Sequence, residues 1–172
     1  MNSTLGSLLN NPTISRVRRN HGLEHATIHV LAEKNPKRSI AGHSDVGGFW
    51  LLGEVTAREV KDASSEALHR LRGGERSLAI HPNCGTNLVT SSMAAGVAGA
   101  LAMSGTRSGR DRLERLPLAG LLAMAALLMA RPLGTRVQQR ITTSGEPGEL
   151  EIVDISETQR AGLKAFRVTT RE

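Results

Sequence analysis

Tyrosine is absent from this 172-residue chain, and only two phenylalanines and one tryptophan are present. Proteins that hold single-stranded nucleic acid stack its bases on aromatic rings, so this poverty argues against nucleic acid as a partner despite a net charge of +6. The one cysteine, Cys84, excludes an intramolecular disulfide and leaves a thiol or a metal ligand, as expected in a reducing compartment. The first residues carry no basic start, long apolar stretch and small-residue cleavage site, so no signal peptide is expected. Apolar residues make up 39%, too few for a many-span transporter, and charged residues 22%, too few for a wholly disordered chain. The positive excess is therefore assigned to solvated loops or to anionic lipid head groups.

What is present divides into four stretches: a flexible tail over 1–14, an α+β metal-binding region over 15–85, a hydrophobic helical hairpin over 86–135, and a β-containing segment over 136–172. A helix is predicted from Ser15 to Glu33, stopped by Asn35-Pro36. Val17, His21, Ile28 and Ala32 share one stripe of it, while Leu23, Ala26 and Val30 form another opposite. A helix apolar on both sides is sandwiched, which turns its histidines inward. Residues 38–55 predict a β-hairpin turning at Ser44-Asp45-Val46-Gly47-Gly48. Thr56 and Glu59 predict a capping box for a helix that reaches Arg72 and ends at Gly73-Gly74. Short strands are predicted at Leu78–Ile80, Leu150–Val153 and Ala165–Thr170, with a turn at Gly145–Gly148.

Two stretches, 87–103 and 116–130, contain no charged residue. Each falls short of the roughly 20 residues that span a bilayer core. They predict either a membrane hairpin extended by polar neighbours and snorkelling arginines, or a buried hairpin in a soluble domain; length and charge favour the membrane. Ala95 with Gly99, and Gly96 with Ala100, would let helices approach closely and suit self-association. The connector between the runs holds Arg107, Arg110, Arg112 and Arg115, but arginines also flank both runs, so charge bias leaves the orientation open.

The chemistry-bearing pattern is His21-Gly22-Leu23-Glu24-His25, an HxxEH sequence. On a helix its two imidazoles project from one face and can share a metal, with Glu24 on the flank as a general base; this is the inverted form of the zinc-protease motif. His29, one turn further, is a ligand or a supporting partner. The second segment, His81-Pro82-Asn83-Cys84-Gly85, offers an imidazole and a thiol at the mouth of a helix, where the helix dipole favours thiolate. His21, His25, His81 and Cys84 would close a tetrahedral zinc site, whereas three of them would leave the open position that hydrolysis needs. Taken alone, the HxxEH cluster also reads as a satisfied polar core, Cys84 as a small buried hydrophobe, His43 and Asp45 as turn residues, His69 as a helix-end residue and Trp50 as a packing anchor.

The two segments together resemble the YqhQ-like bacterial membrane proteins, a family of unknown function with HGxEH followed by HPxCGT running into a transmembrane helix. The matching residues are His21, Gly22, Glu24 and His25, then His81, Pro82, Cys84, Gly85 and Thr86. The chain is also similar to a smaller family, seen in cyanobacteria and other environmental bacteria, that carries both motifs at a similar length. The likeness covers residues 18–135 and implies membrane association and metal ligation by the four His/Cys positions, but no reaction. The spacer between the motifs is longer than in the YqhQ-like pattern. A downstream glutamate on a third-ligand helix, as in zinc proteases, is not evident; Glu59 and Glu66 are the available candidates.

The expected architecture is α+β: a small antiparallel sheet with the HxxEH helix packed on a two-helix, transmembrane hairpin. The expected function is a zinc protein of the bacterial cytoplasmic membrane, its metal on the cytoplasmic side. It would be a hydrolase or peptidase with Glu24 as base, acting on a peptide or small molecule. The alternatives are a non-catalytic module with a structural His3Cys zinc, and a metal-free scaffold.

Overall fold

The computed structural model describes residues 4–160 and 162–172. Two helices begin the chain, α1 over Thr4–Leu9 and α2 over Pro12–Lys34. The stretch expected to be a flexible tail is thus helical for most of its length, and its first three residues lie outside the described ones. The reason is local. The Asn11 side chain accepts from the Thr13 and Ile14 amides at 3.0 and 3.4 Å, and Pro12 supplies a first helical residue that has no N–H to satisfy. At the other end α2 stops before Pro36, as the sequence indicates.

After α2 come β1 (Ala41–Asp45), β2 (Gly48–Leu52) and α3 (Ala57–Arg72), then a 3-10 turn over Arg76–Ala79. The hairpin and the α3 capping box form where the sequence puts them. The Thr56 hydroxyl accepts from the Glu59 amide, and the Glu59 carboxylate accepts from the Thr56 amide. The strand expected at Leu78–Ile80 does not form. Leu78 and Ala79 are buried by the 3-10 turn, and only Ile80 is extended. Three consecutive apolar residues, Leu78-Ala79-Ile80, are too short a pattern to separate a strand from a single tight turn.

The helices α4 (Gly85–Met103), α5 (Gly109–Met129) and α6 (Arg131–Val137) follow, then a π-helical turn over Gln138–Thr142 and the strands β3 (Glu151–Arg160) and β4 (Leu163–Arg171). The four strands make one antiparallel sheet in the order β1-β2-β4-β3, so the C-terminal hairpin pairs with the one at 41–52. Both C-terminal strands run longer than the apolar residues alone marked out.

The chain forms two compact units, Met1–His81 with Gln139–Glu172, and Pro82–Gln138. In the first, α2 packs against α3, β1, β2 and the 3-10 turn. Alternate residues Phe49 and Leu51 of β2, with Phe166 and Val168 of β4, meet Leu23 and Val30 of α2 and Val60 of α3 in one apolar core. Every residue from Gly22 to Ile28 is buried. The double apolar stripe of α2 reflects this enclosure.

In the second unit, α4 and α5 run against each other, and the Arg115 guanidinium of α5 donates to the carbonyls of Ala102 and Ser104 at the end of α4. The arginine-rich connector is shorter than expected. Ser108 and Asp111 form a capping box that starts α5 at Gly109, so Arg110, Arg112 and Arg115 are helical. Leu88, Met93, Leu101, Leu121 and Met129 stand exposed, Met129 by 80%. Among the described residues no single helix is long and apolar enough to cross a membrane; one pair, Gly109–Met129 with Arg131–Thr142, bent by 45°, meets the length and composition together.

Candidate metal centre

His21 and His25 lie one helical turn apart on α2, and their rings pack edge-on with centroids 4.4 Å apart. Their donor nitrogens lie within 4.8 Å of each other. His21 Nδ1 sits 3.0 Å from the Thr142 carbonyl and His25 Nδ1 2.8 Å from that of Ala79. A carbonyl only accepts, so each Nδ1 carries the proton and donates, and the neutral ring has its basic lone pair on Nε2. Metal-binding histidines are oriented in this way, by a backbone carbonyl on the nitrogen that does not face the metal.

His81 joins this group from the segment after the 3-10 turn. Its ring centroid is 5.6 Å from that of His25 and 5.1 Å from that of His29. His29 Nε2 donates to the Ile80 carbonyl at 2.9 Å. Residues 79–81 therefore run along α2 with two carbonyls bound to its histidines and a third imidazole beside them. Burial, with His25 and His29 alongside, pushes His81 down to about 4, so at neutral pH its ring is uncharged.

Glu24 is 4% exposed, beside the histidines but turned toward β1. The Ser44 hydroxyl donates to it. Burial raises its carboxyl above the ordinary range, while the Ser44 hydrogen bond and the nearby His21 and His43 act the other way. Gly42 is the neighbour that makes this position available, because a side chain there would overlap the carboxylate. Gly22, inside the HxxEH motif, has the same kind of role. A Cβ on it would strike the Ser144 carbonyl, so glycine lets α2 lie directly on the 143–145 backbone.

Cys84 belongs to the second unit. It is buried and caps α4, its Sγ accepting from the Thr86 amide at 3.4 Å. Donation to sulfur at a helix N-terminus favours the thiolate, the form that binds metal.

The remaining candidates have other work. Asp45 accepts from the Gly47 amide within the turn and from both terminal nitrogens of Arg167 at 2.7 Å. Those Arg167 bonds hold the Asp45 carboxyl below its usual range. His43 and His69 are exposed. Trp50 lies under the Arg160 guanidinium at 3.9 Å, with Arg167 at 5.2 Å. Sequence reasoning missed Ser44 and Gly42 as the partners of Glu24. It also missed the carbonyls of Ala79, Ile80 and Thr142, which orient the imidazoles; backbone groups carry no sequence signature.

An α+β protein with an inward-facing HxxEH helix, braced by backbone carbonyls and joined by a third histidine, defines the class. The chain belongs to DUF6391, a domain family of unknown function, which it matches over residues 16–155. It is 40% identical over 166 residues to an uncharacterized protein of Picosynechococcus sp. (strain ATCC 27264 / PCC 7002 / PR-6), covering 90% of this chain and 79% of that protein. No solved structure matches it.

Proposed function

We propose that this protein is a membrane-associated zinc protein in which His21, His25, His81 and Cys84 are the ligands. The observation that carries the reading is the pair of Nδ1–carbonyl bonds on His21 and His25, which orders both rings with Nε2 as the basic nitrogen. His81 supplies a third imidazole, and Cys84, three positions along the chain, a thiol favoured as thiolate. Mixed nitrogen and sulfur donors are the chemistry of zinc.

In the hydrolytic form of this reading three of these residues would hold the zinc, which would supply Lewis acidity, and Glu24, its carboxyl raised by burial, would serve as the base that takes a proton. The substrate would be a peptide or another small molecule. A closed, structural zinc site is the second reading. It is favoured by the engagement of Glu24 with Ser44, which commits the carboxylate to a bond away from the metal.

The bilayer is the proposed partner of the α4–α5 hairpin, whose outward leucines and methionines would otherwise face water. The YqhQ-like motif pair supports the same placement, at the bacterial cytoplasmic membrane with the metal on the cytoplasmic side. Small residues on these helices suit self-association within it.

Elemental analysis of the purified chain tests the metal: one zinc per chain is expected, and none in the purified protein ends the reading. Glu24→Gln then divides the two forms. A hydrolase should keep its zinc and lose turnover, whereas a structural site should lose neither metal nor stability beyond the change at Ser44. Cys84→Ser should release zinc under the structural reading and lower the unfolding temperature with it.

A further inference from the structure

One helical turn before His21, Arg18 lines a cleft of about 500 Å³ whose other walls include Arg76, Ser77, Ile80, Gln139 and Thr143. That volume lies within the range of about 300–1,000 Å³ common for small-molecule sites. The cleft adjoins the histidines on two sides. Ile80 stands between Ala79 and His81, and Thr143 follows the carbonyl that holds His21.

The charges in the cleft do not balance. Arg76 is paired with Glu146 at 2.7 Å, and next along α2 from Arg18, Arg19 is paired with Glu172 at 2.8 Å. Among the described residues Arg18 pairs with no carboxylate. Its Nη2 donates to the carbonyls of Arg140 and Thr143 at 3.2 and 3.1 Å, and its Nε is buried with no hydrogen-bond partner. Burial and the adjacent Arg19 both act against its charge. A half-buried guanidinium held by two neutral acceptors is a cation waiting for an anion. The exposed side chains of Gln139 and Ser77 add neutral donors on the same cleft.

We infer that this cleft binds a carboxylate group of the substrate, with Arg18 as its counter-ion and Gln139 as a second donor. One uncompensated positive charge matches the single negative charge of a carboxylate rather than the double charge of a phosphate monoester. The inference rests on the hydrolytic reading only for what the carboxylate is part of. Binding of the carboxylate itself needs no zinc.

The test titrates the full-length protein, solubilised in detergent and stripped with EDTA, with N-acetylglycine, with its neutral amide, and with inorganic phosphate at pH 8. N-acetylglycine should bind, and the amide should bind about tenfold more weakly or worse, the loss of one charged hydrogen bond. Arg18→Gln should lose the carboxylate to the same extent, and Gln139→Ala by about threefold. Circular dichroism checks that each variant folds; if Arg18→Gln does not, the Gln139→Ala result decides. Equal binding of acid and amide, tighter binding of phosphate, or binding unchanged in the folded variants overturns the inference. A chain that holds the carboxylate but contains no zinc refutes the metal reading and leaves this one standing.

Discussion

The Gly42 backbone and the Glu24 carboxylate lie so close that a methyl group on Gly42 would overlap the glutamate Oε1, Cδ and Cγ. A strand residue 18 places along the chain from Glu24 thus decides whether the motif's carboxylate can sit where it does. Gly42→Ala is expected to force either Glu24 off Ser44 or β1 off α2. The loss should be about 1–3 kcal/mol, the usual cost of overpacking. Urea unfolding measures it. In a Glu24→Ala background the same change should cost clearly less, since the two residues would then no longer compete for space. Equal costs in both backgrounds would show that the overlap is relieved elsewhere.

Asn20, immediately before the motif, is fully buried and ties three elements together. Its Nδ2 donates to the Asp45 carbonyl at 2.8 Å, and its Oδ1 accepts from the Thr170 hydroxyl at 2.7 Å. Asn20→Ala leaves the buried Thr170 hydroxyl and the Asp45 carbonyl without this partner. Each orphaned group costs about 1–3 kcal/mol, so a drop of that order or above is expected in equilibrium unfolding. Asn20→Asp should also destabilise, because a carboxylate cannot donate to the Asp45 carbonyl and is costly to bury in its ionised form. A variant as stable as the parent would mean that the latch is dispensable.

Glu59 is the hinge of a different network. Its carboxylate accepts from Arg38 at 2.6 Å and from the Thr56 amide and hydroxyl, which together lower its pKa to about 2. A carboxyl depressed on folding stabilises above its unfolded pKa, about 4.3, and that contribution is lost as pH falls toward about 2. The group is partly exposed, so solvent screening keeps the gain small. Glu59→Gln is expected to cost about 1 kcal/mol or less at pH 7, on the scale of a helix cap, and the difference from the parent should shrink between pH 5 and pH 3. A pH-independent difference would assign the loss to packing instead.

These networks mark where the sequence is legible and where it is not. The α3 capping box, the 41–52 hairpin and the inward face of α2 can all be read because each depends on residues within a few positions of one another. The Ser108–Asp111 box obeys the same rule, yet the surrounding arginines mask it as a loop. The partners of Glu24 are another matter. Ser44 and Gly42 reach it only because β1 folds back on α2, and nothing in a serine or glycine of a strand announces that contact. The imidazoles of the motif can be predicted to face inward, but the carbonyls that orient them belong to Ala79, Ile80 and Thr142, whose side chains are irrelevant to the bond. Long-range pairing also explains why Asn20 reads as an ordinary helix residue: Thr170 lies 150 positions away.

The metal reading makes a quantitative claim about stability. A ligand that binds only the folded chain stabilises it by RT ln(1 + [L]/Kd), about 2.7 kcal/mol at a hundredfold excess over Kd. For a chain of this length each kilocalorie moves the unfolding temperature by about 2–4 °C, so saturating zinc should raise it by about 5–10 °C over the EDTA-treated protein. His25→Asn keeps an amide donor at the place of Nδ1, facing the Ala79 carbonyl, but removes the basic Nε2, and it should abolish the zinc-dependent rise while folding to a similar baseline. Calcium or magnesium in place of zinc should have little effect, since those ions take oxygen donors and the proposed set offers nitrogen and sulfur. An unfolding temperature indifferent to both zinc and EDTA would leave His21, His25 and His81 as a metal-free polar cluster, with the carbonyl bonds serving only to satisfy buried rings.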